Sequence, residues 1–260
     1  MVEIGGGTLR VTELSGGRDR VSMVEHLAAL AANRRPTLVG LDFPFSYAAR
    51  FLDYLGIPDF FTLCARMRVE ATRVERFVDE TVGPWWARWQ TDPVRTRRVV
   101  ERQDAALAAE SPLRALGRKG GRYDFTGARQ VGKAAITGIA AIGHLMDRAP
   151  QVRVWPFHEL VEASCVVAEI WPRLALGGIV KQDPAVRRRC VDALRRSGVR
   201  LGPAHAREAV RSADAFDALH AAVAMGRGSW PPVAPARLPP EATREGWILG
   251  VPWNASRERP

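Results

Sequence analysis

Four carboxylates carry the strongest chemical signal in this chain of 260 residues: Asp42, Glu169, Asp214 and Asp217. Asp42 closes the apolar run Thr37-Leu38-Val39-Gly40-Leu41, and Glu169 stands near the end of Val166-Val167-Ala168-Glu169-Ile170-Trp171. Ligands of open α/β sheets bind beyond the carboxyl ends of strands. An acid inside an apolar strand also needs a partner or a metal to offset its desolvation. Asp214 and Asp217 are three residues apart, which on a helix places both on one face. Like charges so placed repel unless a cation lies between them. Three or four converging carboxylates suit a hard divalent cation such as Mg²⁺ or Mn²⁺. Two such ions roughly 4 Å apart would stabilise the attacking and leaving oxygens of a phosphodiester displacement. The other reading gives the acids separate duties, with Asp42 as a helix cap, Asp214 as an exposed acid and Glu169 paired to an arginine.

The elements that must position these acids follow from local patterning. Val2-Glu3-Ile4, a run of three glycines and the alternating Thr8-Leu9-Arg10-Val11-Thr12-Glu13-Leu14 read as strand, turn and strand. Ser22 with Glu25 forms a capping box for a helix whose inner face carries Met23, Leu27, Leu30 and Ala31. Pro36 ends that segment. Residues 37–42 read as a strand buried on both faces. Ser46 is placed to cap a helix that stops near Gly56. Residues 60–110 read as helical and Arg-rich, and residues 111–133 as a basic, glycine-rich connection. A helix over 134–146, strands over 151–157 and 164–171, and helices over 186–197 and 204–225 complete the pattern. Phe216, Leu219 and Val223 form the stripe that packs the last helix. Residues 226–240 are rich in Pro and Gly and read as a surface loop. Strands alternating with helices predict an α/β fold. The chain reads as a single domain over 1–260 with a helical insertion over 60–130.

Composition bounds the function. With 47% hydrophobic and 25% charged residues the chain has a globular composition, which excludes disorder as its main state. The longest weakly polar run, residues 134–146, is too short to cross a bilayer and contains His144. Residues 1–7 lack the basic flank and apolar stretch of a signal peptide. These features predict a soluble cytoplasmic protein with no membrane partner. Thirty-eight basic residues against 28 acidic leave a net charge of +10. Only Lys119, Lys133 and Lys181 are lysines. Such a surplus attracts polyanions, so a nucleic-acid partner stands beside the plain reading of a charged soluble surface.

Other motifs are weighed in the same way. Arg118, Lys119, Arg122, Arg129 and Lys133 suit contacts to substrate phosphates, or else a solvated basic loop. Gly127-Ala128-Arg129-Gln130-Val131-Gly132-Lys133-Ala134 lacks the hydroxyl that a phosphate-binding loop places on Mg²⁺. Trp85, Trp86 and Trp89 with Arg88 suit either base stacking or core packing, with packing favoured. His158 lacks the second histidine of a zinc-binding motif and reads as a structural or surface residue in preference to a metal ligand. Cys64, Cys165 and Cys190 show no paired spacing, and Cys165 reads as a buried core residue.

Several segments in order resemble one family. They are Val39-Gly40-Leu41-Asp42-Phe43-Pro44-Phe45, Arg129-Gln130-Val131-Gly132, Val154-Trp155-Pro156-Phe157, Ala168-Glu169-Ile170-Trp171-Pro172, Asp214-Ala215-Phe216-Asp217-Ala218 and Glu245-Gly246-Trp247-Ile248. Together they resemble the domain of unknown function 429 family of predicted RNase H-like nucleases, over nearly the whole chain. The resemblance implies a mixed five-stranded sheet flanked by helices. It matches Asp42 to the fourth-strand acid, Asp214 and Asp217 to a late-helix pair, and Glu169 to the family's own glutamate. Glu245 belongs to the terminal motif. The family's first strand, with its Asp, has no counterpart here. Either the start was assigned too late or the central metal-bridging acid is absent. The implied activity is metal-dependent phosphodiester hydrolysis of nucleic acid. The alternatives are a catalytically incomplete module that binds nucleic acid or protein, and a hydrolase of phosphorylated small molecules.

Overall fold

A computed structural model of the chain describes residues 1–47, 49–76, 131–228, 234–238 and 240–251. Their elements in chain order are β1 (Val2–Gly5), β2 (Thr8–Val11), α1 (Arg20–Ala32), β3 (Thr37–Leu41), α2 (Ala49–Tyr54) and α3 (Phe60–Arg76). After these come α4 (Val131–Arg148), β4 (Val152–Trp155), β5 (Cys165–Glu169), α5 (Pro172–Leu176), α6 (Pro184–Arg196), α7 (Pro203–Arg211) and α8 (Ala213–Arg227). A 3₁₀ turn at Pro235–Arg237 and α9 (Ala242–Glu245) follow. The arrangement is mixed α/β, with an antiparallel pair and a small parallel sheet in the order β3-β5-β4. The chain divides into two compact units. One comprises Met1–Asp19, Gly40–Asp42 and Ile170–Pro232; the other comprises Arg20–Val39, Phe43–Glu169 and Val233–Pro260.

In the first unit β1 and β2 form the expected hairpin, with Val2 opposite Val11 and Gly5 opposite Thr8. The two-residue loop needs positive φ at both positions, and Gly6 (+55°) and Gly7 (+73°) supply it without a Cβ penalty. Arg200 adds a short parallel bridge: Val11 N–H donates to its carbonyl (2.9 Å), and its own N–H donates to Leu9 O (2.8 Å). Leu9 and Val11 pack with Val191, Leu194, Phe216, Leu219 and Val223 in one core. The predicted stripe on α8 is therefore buried as its spacing required.

Residues 204–225, read as one helix from their continuous periodicity, form two. Ser212 is extended (φ −110°, ψ 126°), and its Oγ accepts the Ala215 N–H at 3.2 Å as the cap of α8. The break matters chemically, because a continuous helix would bond the carbonyls of Val210 and Arg211 to residues four positions on. Here those carbonyls are taken by the guanidinium of Arg187, whose Nε and Nη2 donate to them at 2.7 and 3.3 Å. On α6 the cap is Asp183, which accepts the Ala185 N–H at 2.8 Å, so that helix starts at Pro184, earlier than residue 186.

The second unit is built on β5, whose residues from Cys165 to Glu169 are all buried, with β4 parallel beside it in the register Val152 to Cys165. β3 lies along the other side of β5, and Thr37 N–H donates to Ser164 O at 2.8 Å. The expectation that residues 37–42 are buried on both faces is corrected: β3 is at the edge of this sheet and only half-buried along its length. α4 runs from Val131 to Arg148, longer at both ends than its apolar stretch. It packs against α3 and α1. Gly138 on α4 lies under the ring of Phe43, where a Cβ would come within 2.4 Å of the ring, so only glycine permits that approach. Phe60 and Phe157 stack with centroids 3.8 Å apart.

Two predicted caps are also corrected. α1 begins at Arg20, two residues before Ser22, so Ser22 lies inside the first turn. Of its predicted inner face, Leu27 and Ala31 are buried, whereas Met23 is exposed. Ser46 does not cap α2; its hydroxyl donates to the Arg244 carbonyl at 2.6 Å. The end of α2 is as expected, with Gly56 at φ +66° and its N–H on Asp53 O. Among the described residues no helix is long and apolar enough to cross a membrane.

Candidate functional site

Of the four candidate acids, Asp42, Asp214 and Asp217 lie in the first unit. Asp42 is exposed directly after β3, whose last carbonyl, on Leu41, accepts the Ile170 N–H at 3.0 Å. Asp214 is exposed in the first turn of α8, where unsatisfied backbone N–H groups favour a negative charge. Asp217 lies one turn further on and is largely covered, its side chain 14% exposed. Its Oδ2 is held by the ammonium of Lys181, itself 34% exposed. Its Oδ1 is buried and has no hydrogen-bond partner among the described residues. Half of a carboxylate is thus paired with a cation, and the other half is removed from water without compensation.

Lys181 is held there by its own backbone. Arg187 is 5% exposed and has no carboxylate partner among the ion pairs of the described residues. Its guanidinium instead donates to carbonyls at both sides of the site. Nη1 reaches the carbonyls of Lys181 and of Gln182 (3.2 Å), and the remaining donors reach Val210 and Arg211 as described above. A buried arginine so satisfied ties the loop bearing Lys181 to the end of α7. His220, a turn beyond Asp217, keeps its proton on Nδ1 for the Phe216 carbonyl at 3.0 Å. Burial holds its pKa below the usual histidine value, against opposing contributions from that hydrogen bond and from Asp217.

Glu169, in the second unit, is arranged differently. It is 4% exposed, and its Oε2 accepts the Phe45 N–H at 3.1 Å. Its backbone carbonyl accepts the Leu249 N–H at 2.8 Å. Glu245 acts alongside it: Oε1 accepts the Ala49 N–H at 2.7 Å. Both carboxylates therefore accept from backbone donors of residues 45–49. Arg244 reinforces the clasp, donating to Asp53 Oδ1 (2.7 Å), Pro58 O (3.1 Å) and Ile57 O (3.3 Å). His158 is structural as expected. Its Nδ1 accepts the Val154 N–H at 3.0 Å, and burial lowers its pKa.

The sequence placed phosphate contacts at Arg118, Lys119, Arg122, Arg129 and Lys133. The first four lie outside the described residues, as do Trp85, Trp86, Arg88, Trp89 and most of the predicted insertion over 60–130. Lys133 belongs to the first turn of α4. Positive charge among the described residues is instead evident on α6 and beyond it, where Arg188, Arg189, Arg195, Arg196, Arg200 and Arg207 are exposed. Lys181 and Arg187 escaped the sequence reading. One signal was available: Lys181 is one of three lysines among 38 basic residues, a compact point charge where arginine is the rule.

Among the described residues no group of three or more His, Cys, Asp or Glu side chains is placed to hold a metal ion. Asp42, Asp214 and Asp217 accordingly do not form one. The residues present do not by themselves fit a divalent cation: Asp217 Oδ1 is buried without a hydrogen-bond partner among the described residues, but the Lys181 ammonium already neutralises the same carboxylate. No protein-family model matches the chain, and no curated protein or solved structure matches it.

Proposed function

We infer that the chain is an RNase H-like, metal-dependent nuclease that hydrolyses phosphodiester bonds of nucleic acid. The carrying observation is the Asp217 carboxylate, cation-bound at one oxygen and orphaned at the other. The resemblance of its ordered motifs and the arginines of α6 support the reading. On this reading Asp217, Asp42 and Asp214, which are not grouped to hold a metal in this structure, must converge on Mg²⁺ or Mn²⁺ when the ion binds. A divalent ion at such a site lowers the pKa of its bound water and neutralises charge on the phosphate. The chain's own arginines would hold the nucleic-acid backbone by charge, whatever its sequence.

The test is cleavage of end-labelled DNA and RNA with Mg²⁺ or Mn²⁺, comparing the wild type with Asp217→Asn. Removing a group that stabilises transition-state charge should cut the rate about a hundredfold or more, with the circular dichroism spectrum unchanged. Undiminished cleavage by the variant would refute the assignment. Mononucleotides in the same assay separate a nuclease from a hydrolase of phosphorylated small molecules. A second reading, nucleic-acid binding without turnover, is favoured by the ammonium already seated on Asp217. It requires salt-sensitive binding with no product at any metal concentration.

A further inference from the structure

We propose that the outer face of α6, continued by β2 and the end of α8, is a docking surface for the phosphate backbones of a nucleic-acid duplex. The inference deepens the nuclease reading and rests on it for the choice of polyanion. On α6, Arg187, Val191 and Leu194 are buried, and Arg188, Arg189, Arg195 and Arg196 are exposed on the opposite side. The helix carries one acid, Asp192, which is half-buried and makes no salt bridge among the described residues. Positive charge continues past the helix end. Arg200 stands opposite Arg10 in the short bridge to β2, and both are exposed. Like charges so placed on adjacent strands repel. Glu3, opposite Arg10 on β1, forms no salt bridge with either among the described residues. Arg227, the last residue of α8, adds a further guanidinium: its Nη2 donates to Ser197 Oγ, at the C-cap of α6, at 2.6 Å. None of these exposed arginines has a carboxylate partner among the described residues, whereas Arg18 and Arg211 of the same unit are paired with Glu13 and Glu208. A row of phosphates neutralises several such guanidiniums at once. The geometry of the face suits a duplex. Its arginine pairs at 188–189 and 195–196 are two helical turns apart, about 10 Å, the scale of the grooves of B-form DNA, about 6 and 12 Å wide, with a phosphate row on each side. A single strand offers one row, and surfaces that grip single strands add aromatic side chains for stacking. α6 has no aromatic residue.

The experiment is fluorescence anisotropy of a labelled DNA duplex, and of one of its strands alone, in EDTA between about 50 and 200 mM salt. Wild type is compared with Arg189→Gln/Arg196→Gln, with Arg189→Lys/Arg196→Lys and with Arg148→Gln/Arg211→Gln. The last is a control that removes two exposed arginines already paired with carboxylates. The glutamine pair on α6 should weaken duplex binding about tenfold and make the dependence of log K on log salt shallower by about 2, as two lost phosphate contacts require. The lysine pair keeps the charge and should keep the wild-type slope. The control should keep both slope and affinity, and the duplex should bind more tightly than its single strand. Equal losses in the α6 glutamine pair and the control, with both folded by circular dichroism, overturn the proposal, because net charge alone then accounts for binding. Tighter binding of the single strand overturns it, as does the absence of duplex binding at the lowest salt. Failure of the nuclease reading looks different: no cleavage with Mg²⁺ or Mn²⁺, while duplex binding in EDTA is intact.

Discussion

Glu169 and Asp217 are both acids embedded among apolar neighbours, each in its own compact unit, and they are satisfied by different means. Glu169 receives a backbone N–H from Phe45, 124 residues away in sequence, and lies in a strand buried at every position. Asp217 receives the Lys181 ammonium on one oxygen and, among the described residues, no hydrogen bond on the other. A carboxylate that accepts a backbone N–H from a distant segment ties that segment to its strand. One matched to a lysine ammonium is held by charge instead. Burial alone therefore does not mark a functional acid; the kind of partner does.

The largest effect that tests this contrast is on stability. Glu169→Ala strands the Phe45 N–H in a buried position and should lower the unfolding free energy by about 3 kcal/mol. Asp217→Asn should change it by less than about 1 kcal/mol, since loss of the ion pair with the part-exposed Lys181 ammonium is offset by the smaller desolvation cost of a neutral amide. Urea titration of both variants decides the matter, and equal losses would dissolve the distinction between the two acids.

A smaller effect concerns protons. His158 is held neutral in the unit that contains Glu169, its pKa lowered by burial. The unfolded chain takes up a proton near pH 6.5 while the folded chain still refuses it, so stability falls as pH drops below that value. His158→Gln should remove up to one proton from that dependence, as read from urea midpoints between pH 7 and pH 5. An unchanged slope would mean that the imidazole is protonated in place.

The smallest effect is chemical access. Burial pushes the Cys64 thiol up to about 12 and the Cys165 thiol up to about 11, both in the second unit. Cys190, in the first, is half-buried. At pH 8 a maleimide should label one thiol in the native protein and all three only after denaturation. Rapid labelling of every cysteine would show that the second unit opens as readily as the first.

Much of the scaffold was legible because its signals are local. Gly6-Gly7 announced a hairpin, Gly56 ended a helix, and the spacing of Phe216, Leu219 and Val223 gave the buried face of α8. The apolar run before Glu169 gave a buried strand. What escaped depends on partners distant in sequence. The bond from the Phe45 N–H to Glu169 was not legible, because nothing near Glu169 in the sequence points to residue 45. Ser46 resembled a helix cap, yet its hydroxyl serves Arg244. Ser212 was hidden inside an unbroken apolar periodicity, since a serine carries no obligatory break as proline does. Lys181 gave only the faint signal of its rarity.

The break at Ser212 couples positions distant in sequence. By interrupting the hydrogen-bond ladder it leaves two carbonyls for Arg187, and through Arg187 it determines where Lys181 stands. A substitution that healed the helix would be felt at Asp217 without touching it. Positions 187 and 212 act on the same carbonyls, so the stability effects of substitutions at the two are expected to be non-additive.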